Sequence, residues 1–159
     1  MPGLAGNNLK NKNYVIYKSL DSFCLEYKKQ KTVFRLYWGQ RKVWKHISEN
    51  AKEKGIYIDF INGYSDHCHC LISLGADQNI QKIMQLIKGE SSFWINKNRL
   101  TKEKFEWQDE YFAVSVSESI IDKVRDYIKN QETHHKKKTF QEEYDDFIIK
   151  FGFDKTFVK

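Results

Sequence analysis

Apolar residues along this chain fall into segments whose spacing switches between two and three-to-four, and that alternation predicts the elements. Tyr14-Val-Ile-Tyr17 and Ser22-Phe-Cys-Leu-Glu-Tyr27 are short candidate strands, the second placed just before a helix. From Thr32 to about Lys54, residues Val33, Leu36, Tyr37, Val43, Trp44, Ile47 and Ala51 recur at helical spacing, and Gly55 supplies the stop. Ile56 to Tyr64 reads as a strand in which Ile56, Ile58 and Phe60 alternate with Tyr57 and Asp59. Ser65-Asp66 makes a turn and His67 to Leu74 a second strand, so the two predict a hairpin. Asn79 caps a helix carrying Ile80, Ile83, Met84 and Ile87, then Trp94 and Ile95. A polar connection, Asn96 to Asp109, leads to a last strand at Tyr111-Phe-Ala-Val-Ser-Val116. Ser119-x-x-Asp122 resembles a capping box for a helix running to about His135, and Thr139-x-x-Glu142 one for a final helix ending at Gly152.

The resulting order, strand–helix–strand–strand–helix–strand followed by two helices, is the split βαβ or ferredoxin-like pattern of an α+β fold. It predicts a four-stranded antiparallel sheet with two helices on one face. The first strand and the strand bearing His67 and His69 take the centre, and the other face is free for a site or for the helix carrying Tyr127. The organisation expected is a disordered leader over 1–13, one domain over 14–153 and a tail over 154–159. The architecture by itself does not choose among RNA binders, metal chaperones and enzymes.

Composition narrows the class. The chain's 159 residues suffice for one domain with a sizeable core, and 40% hydrophobic and 15% aromatic residues exclude a disordered chain. A net charge of +6 points toward a polyanionic partner, although at 30% charged residues much of the excess can be solvated surface. Cys24, Cys68 and Cys70 lack the spacing of a disulfide framework, residues 1–13 lack a secretory apolar core, and no stretch is long enough to span a bilayer. A reduced, cytoplasmic setting without a membrane is the expectation.

Asp66-His67-Cys68-His69-Cys70 carries the candidate chemistry. Two histidines one residue apart on a strand project to one face and can hold a metal ion, or they can be ordinary hydrogen-bonded strand residues. Pleating sends Cys68 and Cys70 to the opposite face, which argues against a four-ligand zinc site and for small apolar residues packed under the helices. Asp66 is either an orienting carboxylate or a turn residue. Tyr127 and Gln131, four apart on a helix, share a face. Tyr127 lies at the edge of the stripe Ile121, Val124 and Ile128, where a half-buried core aromatic is the plain alternative, but the same face continues into Gln131 and then His134 and His135. Tyr144, among Phe140, Phe147 and Ile148, reads as packing. The basic run His134-His-Lys136-Lys137-Lys138 is either a solvated helix end or a phosphate contact. Lys82, Lys88, Lys97 and Arg99, with Phe93 and Trp94, form a second basic and aromatic region suited to single strands.

With these residues in place, the chain resembles the single-tyrosine HUH transposases, the small insertion-sequence and REP-associated transposases. Gly63-Tyr-Ser-Asp-His-Cys-His-Cys-Leu-Ile72 is similar to the family's His-hydrophobic-His strand, with Cys68 in the hydrophobic slot. Ile87-Lys-Gly-Glu-Ser-Ser-Phe-Trp-Ile95 and Phe105-Glu-Trp-Gln-Asp-Glu-Tyr111 resemble the helix and loop before the last strand. Phe112-Ala-Val-Ser-Val-Ser and Val124-Arg-Asp-Tyr-Ile-Lys-Asn-Gln131, with the extension to Tyr144, resemble the nucleophile helix. The likeness spans about residues 55–153, while residues 1–22 depart from the family's first strand and 153–159 only loosely resemble its tail.

The resemblance implies that Tyr127 is the nucleophile, that His67 and His69 are metal ligands with Gln131 completing the site, and that the ion is Mg²⁺ or Mn²⁺. It implies a homodimer acting on single-stranded DNA with imperfect hairpins, the tyrosine helix of one subunit serving the histidines of the other in several members. The product would be a 5′-phosphotyrosine and a free 3′-hydroxyl. The departure before residue 23 keeps open a decayed or domesticated hairpin-binding regulator, and a metal-binding protein without nucleic-acid function is the third reading.

Overall fold

The computed structural model describes residues 13–21, 37–64, 67–134, 142, 145–146 and 149–150. Residues 1–12 of the leader expected over 1–13, the candidate strand at Ser22–Tyr27, the start of the first helix, the Ser65-Asp66 turn and most of the final helix lie outside them, while Asn13 opens the first strand. In chain order the elements are β1 (Asn13–Asp21), α1 (Tyr37–Glu53), β2 (Tyr57–Gly63), β3 (His67–Leu74), α2 (Ile80–Lys97), β4 (Trp107–Val116), a 3₁₀ turn at Glu118–Ile120, α3 (Ile121–Lys129) and the short α4 (Gln131–His134). The strands form one antiparallel sheet in the order β2-β3-β1-β4, which puts β1 and β3 at its centre as the sequence predicts. The fold is mixed α/β. Among the described residues no helix is long and apolar enough to cross a membrane.

Each face of the sheet carries its own core. On one face, Val43, Trp44, Ile47 and Ala51 of α1 and Ile83, Met84, Ile87 and Ile95 of α2 pack with Cys68, Cys70 and Ile72 of β3. On the other, Leu71 of β3 and Val116 of β4 meet Ile121, Val124, Tyr127 and Ile128 of α3. The period-two strand β3 is therefore buried on both sides, and only its last residue, Leu74, is half-exposed.

Local signals behave as their chemistry requires at several ends. Asn79 accepts hydrogen bonds from the backbone N–H groups of Gln81 and Lys82 at the start of α2. Gly55, at φ 71°, takes the left-handed conformation that ends α1.

Four expectations need correction. In β2 the register shifts between Ile58 and Phe60, so Ile58 and Ile61 pack against the α1/α2 core while Phe60 packs against α3. A bulge thus overrides the simple alternation. β4 begins at Trp107 instead of Tyr111, because Phe105 and Trp107 enter the α1/α2 core edge to face, 4.9 Å apart. The Ser119/Asp122 capping box does not form. A 3₁₀ turn occupies that position, α3 has no side-chain N-cap, Ser119 Oγ bonds Ser117 Oγ at 3.0 Å, and Asp122 accepts from Arg125. The helix also breaks at Asn130, whose own side chain donates to Asp126 O at 2.8 Å, where one helix to about His135 is expected.

Candidate active site

β3 supplies two imidazoles to the α3 face. His67 and His69 are each 1% exposed, with ring centroids 5.1 Å apart and rings nearly perpendicular at 87°. Their alternation partners Cys68 and Cys70 lie across the sheet in the α1/α2 core, as pleating predicts. A hydrogen bond with the Cys68 thiol, then burial, pushes the Cys70 thiol well above its ordinary range. Both side chains are buried in that apolar core, so the pair serves as packing.

α3 and α4 supply the other two groups. The Tyr127 ring stands edge-on to His69 at 5.6 Å and 81°. Gln131 Oε1 lies 3.4 Å from His67 Nε2, while its Nε2 donates to Tyr127 O at 3.2 Å. Tyr127 is 7% exposed and Gln131 fully buried. All four predicted side chains therefore meet in one chain.

The arrangement fits an ion. Two donors about 2.1 Å from one ion stand roughly 3.0 Å apart at a right angle and roughly 3.4 Å at a tetrahedral angle. The His67–Gln131 separation of 3.4 Å falls in that range and is long for a good hydrogen bond. Among the described residues no group of three or more His, Cys, Asp or Glu could hold a metal, so a third donor beside the imidazoles would have to be the Gln131 amide. Two imidazoles and an amide oxygen would bring no charge, and phosphate oxygens and water would have to supply the remaining hard ligands. The position of Asp66 lies outside the described residues.

Two β2 residues that sequence reasoning missed hold α3 against this site. Asn62, the register partner of His69, donates from Nδ2 to Ile128 O at 3.0 Å and Lys129 O at 3.2 Å. Asp59 Oδ2, at the bulge, accepts from Arg125 Nε at 2.7 Å, and Arg125 also donates to Asp122 at 2.8 Å. The bond to Asp59, then that to Asp122, raises the guanidinium pKa above its ordinary value. Only the N/D composition of β2, polar residues inside an apolar strand, could have flagged either.

Four of the predicted DNA contacts, Lys82, Lys88, Trp94 and Arg99, stand elsewhere. Lys82, Lys88 and Trp94 ride on α2, which packs on the opposite sheet face from Tyr127, and exposed Arg99 follows its end in the left-handed region at φ 51°. Trp94 stacks on His46 at 4.1 Å and 9°, and His46 Nε2 bonds both Glu90 oxygens at 2.8 and 2.9 Å. Lys88 Nζ lies 5.3 Å from the centre of the Tyr111 ring. The aromatic that α2 exposes is Phe93, 66% accessible, with Lys97 Nζ at 5.8 Å. His134 ends α4, and Lys136, Lys137 and Lys138 lie outside the described residues.

Comparison with known proteins bears on this geometry. A solved structure of a protein from Deinococcus radiodurans R1, assigned as a transposase, aligns with a TM-score of 0.58 at 16% identity, covering 82% of this chain and 98% of that one. The structure of a REP-associated tyrosine transposase bound to a REP hairpin aligns with a TM-score of 0.56 at 14% identity, covering 85% and 74%. At such identities the likeness speaks for the fold. No curated protein gives a significant match. A family model described as "Transposase IS200 like" matches residues 21–131, a span that contains His67, His69, Tyr127 and Gln131. Since that span exceeds half of the chain, the protein belongs to the IS200-like transposase family.

Proposed function

We propose that this transposase cleaves and rejoins single-stranded DNA at hairpin-bearing ends through a covalent bond to Tyr127, with His67, His69 and Gln131 holding Mg²⁺ or Mn²⁺. One observation carries the reading: the Tyr127 ring meets His69 while Gln131 reaches toward His67, in a single chain. The element order and the strand order β2-β3-β1-β4 support reading the fold as a ferredoxin-like split βαβ. The solved structure carrying a REP hairpin supports hairpin DNA as the partner, and a homodimer is part of the proposal.

In the proposed step, Tyr127 Oη attacks phosphorus and the P–O3′ bond breaks. The phenol gives up one proton and the departing 3′-oxygen takes up one, leaving a 5′-phosphotyrosine and a 3′-hydroxyl. Attack by a 3′-hydroxyl on that ester rejoins the strand, so bond energy is conserved. A phenol with a pKa near ~10 is a weak nucleophile at neutral pH. A bound divalent ion would polarise the scissile phosphate and offset its developing charge. Within the chain, Gln131 orients its carbonyl oxygen toward that position by anchoring its amide N–H to Tyr127 O. Tyr127 is 7% exposed, and a site so largely withdrawn from water strengthens the charge interactions inside it.

The test incubates the purified protein with single-stranded hairpin DNA from the regions flanking its coding sequence, with Mg²⁺ or Mn²⁺. A denaturation-resistant protein–DNA adduct is expected, lost on chelation and in Tyr127→Phe. Hairpin binding without any adduct, or an adduct that survives Tyr127→Phe, overturns the proposal, the first outcome in favour of a binding regulator.

A further inference from the structure

α3 is a nine-residue helix without a side-chain N-cap, and it ends at the Asn130 break. A helix this short is marginal by itself and takes its position from what it packs against. Its apolar face lies on Leu71, Val116 and Phe60, a contact that tolerates sliding and rotation better than directional bonds do. β2 supplies directional bonds from the sheet. Asp59 grips Arg125, and Asn62 grips the carbonyls of Ile128 and Lys129. The two grips bracket Tyr127 along the helix, and the second falls between Tyr127 and Gln131.

Asn62 suits this place chemically. A primary amide carries two N–H donors, and both are aimed at the carbonyl end of a helix, which carries partial negative charge. Its Cα partner across the hairpin is His69, so the residue that fixes the end of α3 is tied by the sheet ladder to one of the imidazoles the helix must meet. Asp59 occupies the bulge between Ile58 and Phe60 that turns the strand from one core to the other.

We infer that Asp59 and Asn62 are positioning residues for strand cleavage: β2 clamps α3 on both sides of Tyr127 and so registers Tyr127 and Gln131 against His69 and His67 of the same chain. The inference rests on Tyr127 being the nucleophile. Neither residue touches the reacting atoms. They act by geometry, and a displacement near 1 Å at a reacting centre can cost about 100-fold in rate.

Asn62→Asp keeps the shape and replaces two donors with acceptors facing carbonyl oxygens. Asp59→Asn removes the charge under Arg125, and Asp59→Lys combined with Arg125→Glu restores the pair with reversed sign. Single-turnover adduct formation is measured with saturating hairpin DNA, well below each variant's melting temperature, across a Mn²⁺ titration. Expected are a rate lowered at least about 10-fold in Asn62→Asp, a smaller loss in Asp59→Asn, and recovery in the double variant relative to Asp59→Lys. Hairpin affinity stays unchanged while the half-saturating Mn²⁺ concentration rises, a shift that loss of stability alone would not produce. If wild-type protein forms an adduct that Tyr127→Phe abolishes, yet Asn62→Asp and Asp59→Asn match wild type or exceed it, the clamp is refuted and the nucleophile stands. If wild type forms no adduct, or Tyr127→Phe retains it, the nucleophile assignment fails and the clamp falls with it. Should Asn62→Asp not fold, Asp59→Asn and the charge reversal decide the matter.

Discussion

Gly63→Ala is the substitution whose effect the structure specifies most closely. Gly63 closes β2 opposite Cys68, beside the last rung of the hairpin, where Tyr64 N donates to His67 O at 3.0 Å. A methyl group at residue 63 would stand 2.2 Å from His67 O, 2.7 Å from Cys68 Cα and 3.0 Å from His67 C. All three are backbone atoms, so no rotamer change relieves the overlap. An ordinary carbon–oxygen contact is about 3.3 Å, so the strands must part locally by roughly 1 Å. Overpacking of this kind costs about 1–3 kcal/mol, and weakening the rung adds about 1 kcal/mol, for a loss of roughly 2–4 kcal/mol. In a chain of this size that lowers Tm by roughly 5–15 °C. Because His67 is the residue displaced, adduct formation at 20 °C should also fall by about 10-fold or more, since its Nε2 moves relative to Gln131. Circular dichroism melting and single-turnover adduct assays read the two effects. A Tm within about 1 °C of wild type together with an unchanged rate would refute the close approach and its link to His67.

Two further substitutions test the α2 side independently. Gly89 lies on the exposed face of α2 with nothing near its missing methyl group, so Gly89→Ala is expected to stabilise by roughly 0.5–1 kcal/mol, the opposite sign from Gly63→Ala in the same melting assay. Buried Ser91 Oγ accepts from Trp107 Nε1 at 2.8 Å and donates to Ile87 O at 2.6 Å. Ser91→Ala strands the indole N–H and should cost about 1–3 kcal/mol in urea unfolding, with no change in adduct formation beyond what lost stability explains.

Much of the site is legible from sequence because its logic is local. Period two on β3 separates His67 and His69 from Cys68 and Cys70, and the i, i+4 spacing of Tyr127 and Gln131 gives a shared helical face. Caps are legible where one side chain acts on its own neighbours, as Asn79 does. What escapes is what arises between distant segments or from a single inserted residue. The bulge between Ile58 and Phe60 leaves no mark in composition, yet it moves Phe60 to the other core. The Asn62 and Asp59 bonds join residues 66 or more apart in sequence. Trp107 reads as part of a polar connection because its neighbours are charged, and only the Ser91 hydroxyl and the Phe105 ring show why it is buried. The apparent capping box at Ser119 and Asp122 does not form either: a 3₁₀ turn occupies Glu118–Ile120, and the Asp122 carboxylate accepts from Arg125.

The double burial of β3 bears on which ion the proposed site would accept. Slipping the strand by one residue would exchange the occupants of its two sides, offering two sulfurs where two nitrogens now point. Sulfur donors favour thiophilic ions such as zinc or cuprous copper, whereas the present nitrogen and oxygen donors leave places for the oxygen shell that magnesium or manganese demands. That slip would also drive both imidazoles into an oily layer lined by Val43, Ile47 and Met84. In the proposed site the choice of metal would therefore be guarded by the same packing that sets the hairpin's alignment, with the bare α-carbon of Gly63 as its gauge.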